Sequence, residues 1–228
     1  MSMQRYCFQQ VIDYFSNTEC FQVTALRLIC KLTSADPDTM SVYVLDRVLP
    51  FLLSMLSDSS PTVRREAIDS LSLTLGQVTN VQTSDNNVFP DYILPVLIKI
   101  VNDKAPFVRQ NLAANLGKLA LVSKKFLDAS TDINSKLTEL EVLRDTFQTI
   151  ISYLLTDQDN SVRRTLLMTD ISTLCEFLGQ TRTNDVILSH IITFLNNKYD
   201  FELRCSFFDN VIHIATFLGQ SCSKILVS

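Results

Sequence analysis

Apolar residues recur along this chain at helical spacing, in blocks that come in pairs. Over 39–78, Val44, Leu45, Val48, Leu49, Leu52, Leu53 and Leu56 are apolar on more than one side, which predicts a largely buried first helix. Val63, Ala67, Leu71 and Leu75 then form one stripe, predicting an amphipathic second helix, and Thr79 to Asn87 reads as a polar loop. The pair returns over 88–123, where Tyr92, Leu94, Leu97, Ile98 and Val101 precede the stripe Val108, Leu112, Leu116, Leu119. Over 137–179 the first helix carries Val142, Leu143, Phe147, Ile150, Ile151 and Leu154. Over 181–218 it carries Val186, Ile187, Ile191, Phe194 and Leu195, followed by Leu203, Phe207, Val211 and Leu218. Residues 5–33, with Phe21, Ala25, Leu28, Ile29 and Leu32 on one face, read as a degenerate first unit, closed by the helix-breaking Asp36-Pro37-Asp38. The stretch 124–136 fits neither pattern. Its run from Asp128 to Ser135 is turn-forming and predicts an inserted surface loop, either a plain linker or a modifiable segment at Ser130 or Thr131.

Each turn between paired helices repeats one motif. Asp58-Ser-Ser-Pro-Thr-Val63-Arg64 has the spacing of Asp103-Lys-Ala-Pro-Phe-Val108-Arg109 and of Asp157-Gln-Asp-Asn-Ser-Val162-Arg163. Lys198-Tyr-Asp-Phe-Glu-Leu203-Arg204 keeps the apolar-Arg pair without the leading Asp. Successive arginines lie 45, 54 and 41 residues apart, a helical-hairpin period. Pro50 and Pro95 stand eight residues before their Asp. Pro, Asp and Val-Arg at these offsets resemble the HEAT repeat, which implies an all-α chain, an α-solenoid of about four to five stacked hairpins over 1–228.

The motif also predicts a device. An Asp at the turn accepts backbone amides where the second helix starts, which suits the helix dipole. An Arg six residues on reaches the Asp of the adjacent repeat, so Asp58, Arg64, Asp103, Arg109, Asp157, Arg163 and Arg204 are expected to form a structural ladder. Arg65 and Arg164, the second members of their pairs, are expected on the surface and free for recognition. Ser60-Pro61 reads as an N-cap with Pro at the first helical position, whereas Ala105 caps poorly and leaves the open amides to Asp103. Pro50 should bend its helix rather than end it, and Thr149, in the equivalent place, should leave its helix straighter. Asp170 occupies a position that is apolar elsewhere. It implies either a rotated helix with Leu167, Ile171, Leu174 and Leu178 inward, or a buried, paired carboxylate. Gly179 and Gly219 follow second helices where a left-handed residue is wanted.

The formal charge of -4 and a pI near 5.2 argue against a nucleic-acid-binding solenoid. The six cysteines show no zinc spacing and read as reduced, buried core thiols of a cytosolic protein. No stretch approaches the ~20 apolar residues of a membrane span, so direct membrane insertion is not expected. His190 and His213 lie in no metal or catalytic motif, and His190 reads as a helix-packing residue at the place of Pro50 and Pro95. No phosphate loop, HRD or DFG occurs. No catalytic, cofactor-binding or metal residue is assigned, and no partner-binding residue can be named from the sequence.

Beyond the HEAT spacing, Asn184-Asp-Val-Ile-Leu-Ser-His-Ile-Ile-Thr-Phe-Leu-Asn196, continuing through Leu203-Arg-Cys-Ser-Phe-Phe-Asp209, is similar to the solenoid of the phosphoinositide 3-kinase regulatory subunit 4 family. Asp46-Arg-Val-Leu-Pro-Phe-Leu-Leu and Phe89-Pro-Asp-Tyr-Ile-Leu-Pro are similar to the same region. That family is the large protein-kinase-like subunit of the class III phosphatidylinositol 3-kinase complex. The resemblance implies a fragment that scaffolds the lipid kinase catalytic subunit and a Beclin-type subunit. It implies a cytoplasmic location, peripheral on endosomal and autophagic membranes through the complex. The family's kinase domain has no counterpart in these residues. The alternative is an adaptor for another client, a karyopherin-like carrier or phosphatase scaffold. Ser223 to Ser228 reads as the start of a further first helix, and the apolar residues Phe207, Phe208, Val211, Ile212, Ile214 and Phe217 predict a last helix buried on both sides, against the third repeat and against something beyond residue 228. The chain alone is therefore expected to expose an apolar patch.

Overall fold

A computed structural model describes residues 19–35, 37–129 and 133–219. The described residues are helices joined by short turns, stacked into an all-α solenoid. Helix α1 spans Glu19–Ala35. The next hairpin pairs α2, built from Pro37–Tyr43, a π turn Val44–Val48 and Leu49–Met55, with α3, Pro61–Gln77. Then come α4, a π turn Phe89–Ile93 followed by Leu94–Ile100, and α5, Pro106–Asp128. Helix α6 is Ile133–Leu155, and its partner is split into α7, Asn160–Met168, and α8, Ile171–Leu178. The last hairpin joins α9 and α10, Phe201–Leu218. Helix α9 comprises Gln180–Arg182, a π turn Thr183–Leu188, Ser189–Ile191 and a 3-10 segment Ile192–Asn196.

The second helices carry the stack, α1 on α3, α3 on α5, α5 on α7 and α8, and these on α10. Their stripes explain this. Ala67, Ile68, Leu71 and Leu75 of α3 and Leu112, Ala113, Leu116 and Ala120 of α5 are all buried, the alanines allowing close approach. One apolar cluster runs from Leu26 to Leu218, as expected where each repeat buries its face against its neighbours. In α1 the buried positions are Ala25, Leu26, Ile29 and Thr33, while Phe21 and Leu28 are exposed. The part of the first unit before Glu19 lies outside the described residues, as does Asp36.

Three features differ from the expectations, and a fourth shows how the helices pass their prolines without ending. Where it is described, the 124–136 stretch is largely helical: α5 continues to Asp128 and α6 begins at Ile133. Polar composition misleads there because Phe126 and Leu127 are buried, Phe126 meeting the Phe89 ring edge-on at 5.3 Å. Lys125 donates to the Val78 carbonyl at the end of α3, so the added helix closes over the previous hairpin. Ser130 and Thr131 lie outside the described residues.

The prolines are absorbed by π turns. Leu49 N–H bonds Val44 O and Leu94 N–H bonds Phe89 O, each spanning five residues directly before the proline. The wider turn accommodates the missing donor and the ring without ending the helix. Helix α9 keeps the π turn although His190 stands in the proline's place. Its Nδ1 bonds Val186 O at 2.6 Å and Ser189 Oγ donates to Asp185 O at 2.5 Å, so side chains take up the carbonyls. With Thr149 there, α6 runs uninterrupted.

The second helix of the third repeat is broken rather than rotated. Asp170 sits between α7 and α8 at φ 47°, in the left-handed region, and is exposed, so it is not a buried carboxylate. Leu167, Ile171, Leu174 and Leu178 are buried because the break re-aims α8. Both following glycines adopt positive φ, Gly179 at 84° and Gly219 at 68°, which closes their helices.

The cysteines are not uniformly buried. Only Cys175 among the described ones is in the core, where burial pushes its thiol up to about 11, whereas Cys20 is exposed and Cys30 and Cys205 are half-buried. Cys7 and Cys222 are not among the described residues.

Candidate functional site: the inter-repeat ladder and the second-helix face

Each hairpin turn orients its Asp by local bonding. Asp58 Oδ1 accepts the Ser60 amide at 2.8 Å, Asp103 Oδ1 the Ala105 amide at 2.9 Å, and Asp157 Oδ1 the Asp159 amide at 2.8 Å. Ser60 stands at the N-cap but its hydroxyl makes no capping bond, because Asp58 has taken over the turn. From the first turn of the second helix an arginine then reaches across to the next repeat. Arg64 grips Asp103 through Nε and Nη2 at 2.6 and 2.8 Å, while its Nη1 donates to Asp58 O at 2.8 Å. Arg109 does the same with Asp157 at 2.6 and 2.8 Å and with Asp103 O at 2.6 Å. One guanidinium thus ties its own turn to the neighbour's in a fixed fork geometry.

These pairs are nearly dry, with side chains 15% and 7% exposed for Arg64 and Asp103. Burial alone would push the Asp103 carboxyl up. The Arg64 fork, the Ala105 amide and the charges of Arg64 and Arg109 outweigh it and hold this carboxyl below its usual value.

The ladder does not extend as the spacing implied. Among the described residues Arg163 forms no ion pair: it bonds Asn160 and lies 5.6 Å from the centre of the Phe194 ring, with its Nε buried and unpaired. The cause is in the sequence, because position 198, where the next rung's Asp belongs, is Lys. Arg204 donates through Nη1 to Asn197 O at 2.5 Å and faces Phe201, with no carboxylate partner among the described residues. Asp200 instead caps α10 by accepting the Leu203 amide at 2.8 Å.

One rung was missed. Gln22 Nε2 donates to Asp58 Oδ2 at 2.9 Å, so α1 supplies an amide where the later repeats use Arg. The signal was present: Gln22 precedes Arg64 by 42 residues, within the range of the period, and follows an apolar residue.

Next to the ladder runs a second set of polar links. Arg27 pairs with Glu66 at 2.7 Å, Asn115 Nδ2 donates to Asp69 at 2.8 Å, and Asn111 Nδ2 to the Arg65 carbonyl at 2.8 Å. Arg164, expected to be free, pairs with Glu202 of the next repeat. Arg65 is exposed as expected and lines an open groove of about 260 Å³ with Phe107, Gln110, Asn111, Ala114 and Thr165. Among the described residues no cluster of His, Cys, Asp or Glu is placed to hold a metal ion, and no helix is long and apolar enough to cross a membrane. His213 is exposed on α10.

Comparison with known proteins adds the family. The model described as "PIK3R4-like, middle domain" matches residues 16–228. The chain belongs to the PIK3R4-like family. It is 32% identical over 195 residues to a probable serine/threonine-protein kinase vps15 of Dictyostelium discoideum, covering 77% of this chain and 10% of that protein. It is 33% identical over 213 residues to the serine/threonine-protein kinase VPS15 of Arabidopsis thaliana, covering 80% and 14%. The VPS15 of Saccharomyces cerevisiae is 32% identical over 171 residues, covering 65% and 11%. The chain therefore spans about a tenth of the length of such relatives, in a region the family description places in the middle. Among solved structures, the designed armadillo repeat protein YIII(Dq)4CqI matches with TM-score 0.58 at 16% identity, over 98% of this chain and 86% of that one. At that identity the likeness concerns the solenoid fold alone.

Proposed function

We propose that this PIK3R4-like middle domain is a non-catalytic scaffold of the class III phosphatidylinositol 3-kinase regulatory subunit. In this reading it holds the lipid kinase catalytic subunit and a Beclin-type subunit, and acts in autophagy and endosomal trafficking as a peripheral element brought to those membranes by the complex. The observation that carries the reading is the family match over almost the whole of a stacked solenoid whose central repeats are tied together by Arg64–Asp103 and Arg109–Asp157. Side chains locked in a dry ladder are spent on rigidity, and a rigid solenoid offers its partners a long preformed surface. In this reading the kinase activity in the relatives' names belongs to parts of those longer proteins that this chain does not cover, so pure chain incubated with labelled ATP and magnesium is expected to transfer no phosphate above buffer. Affinity purification of the tagged chain from cells tests the partner assignment. Recovery of the lipid kinase catalytic subunit supports it, and recovery of importin cargo or of a phosphatase in its place overturns it.

A further inference from the structure

The third and fourth repeats show what an arginine next to the ladder does when a carboxylate faces it. Arg164, one residue after the ladder position, pairs with Glu202, two residues before the ladder position of the next repeat. Arg65 and Phe107 hold the corresponding places in the first and second clear repeats, and both line the same groove. There the carboxylate is replaced by a ring left 41% exposed, and the Arg65 guanidinium has no ion pair or hydrogen bond among the described residues. Carboxylates on its own helix are engaged elsewhere, Glu66 by Arg27 and Asp69 by Asn115. Ala114 keeps the floor open. Gln110 spends its amide N–H on Thr165 at 3.0 Å, which leaves its carbonyl as an acceptor.

We propose that the Arg65–Phe107 groove is a docking subsite for an acidic side chain of a partner protein, with an adjacent apolar residue of that partner seated on the Phe107 ring. Charge complementarity selects this occupant. A planar guanidinium matches a carboxylate in a two-point contact. A single guanidinium beside an exposed ring, with no second cation lining the groove, suits one carboxylate and a neighbouring apolar residue better than a dianionic phosphate or an anionic lipid surface. At about 260 Å³ the groove is below the usual size of a small-molecule pocket and has room for a side chain or two. The inference rests on the scaffold reading and names one contact within it.

The test titrates the full 228-residue chain with the blocked peptide acetyl-Leu-Glu-Leu-amide, following the Arg65 Nε–H and Phe107 ring signals by NMR. Saturable shifts at both residues are expected, with binding roughly tenfold or more weaker for acetyl-Leu-Gln-Leu-amide and for Arg65→Gln, since a hydrogen bond to a charged group contributes about 1.5–3 kcal/mol. Equal shifts from the Gln peptide, shifts centred elsewhere, or a stronger response to inorganic phosphate or to anionic vesicles would overturn the proposal. Failure of the scaffold reading shows separately: a chain that binds the Glu peptide through Arg65 but recovers no lipid kinase subunit keeps the subsite and loses the assigned complex.

Discussion

Gly117 of α5 lies directly beneath Asp170: a Cβ on Gly117 would stand 2.5 Å from the Asp170 Cβ and 3.4 Å from its Cγ and carbonyl oxygen. The break between α7 and α8 is seated on a glycine because nothing larger leaves room for it. Gly117→Ala is therefore expected to destabilise by about 1–3 kcal/mol in urea unfolding, although alanine is the better helix former by up to about 1 kcal/mol. Asp170→Gly relieves the left-handed backbone and is expected to stabilise by up to about 1 kcal/mol. A neutral Gly117→Ala would show that the two repeats can move apart at no cost.

The ladder predicts a contrast between neighbouring arginines. Arg109→Ala removes the fork on Asp157 and the bond to Asp103 O, and is expected to cost about 1–3 kcal/mol. Exposed Arg65→Ala is expected to stay within about 0.5 kcal/mol. Chemical denaturation of both variants decides it, and equal effects would refute a structural ladder.

Acid should loosen the same contacts. The Asp103 carboxyl titrates below its ordinary value when folded, so its contribution is present above the unfolded pKa of about 3.9 and is lost as pH falls further towards the folded value. Asp159, held low by the Ser161 hydroxyl and amide, and Asp200, held low by the Leu203 amide, act in the same direction. Stability measured from pH 6 down to pH 2 should drop most steeply below about pH 4, and Asp103→Asn should start lower and fall less steeply.

Helix α10 presents Phe201, Phe208 and Ile212 on one exposed stripe, 68%, 61% and 69% accessible. Phe207 and Ile214 are buried, so among the described residues this helix is covered on one side and its other face is the exposed apolar patch expected of the chain alone. The stretch Ser223 to Ser228 lies outside the described residues. Light scattering over a concentration series is expected to show self-association that Phe208→Glu plus Ile212→Glu abolishes. Unchanged scattering would mean the stripe is not the contact.

The stacking was legible because one-faced stripes and a repeated turn motif report packing directly. Arg64 with Asp103 and Arg109 with Asp157 follow from a spacing that places both ends at equivalent turns. What escaped depends on partners rather than pattern. The helical 124–128 stretch hinges on Phe126 meeting Phe89, a residue of the preceding first helix. The break at Asp170 hinges on the space above Gly117, and a glycine inside a helix announces no reason for itself. Gln22 does an arginine's work with a different donor, so a search by residue type passes over it.

The proposed role, assembling a lipid kinase complex without performing chemistry, is open to a deletion experiment. The most direct measurement excises the segment corresponding to residues 19–219 from a full-length family member, expresses it in cells lacking the endogenous protein, and quantifies assembled complex by native purification. The expected result is loss of the lipid kinase catalytic subunit from the purified complex, with ATP binding by the remaining regulatory subunit retained. Recovery of the intact complex at normal levels would contradict the claim.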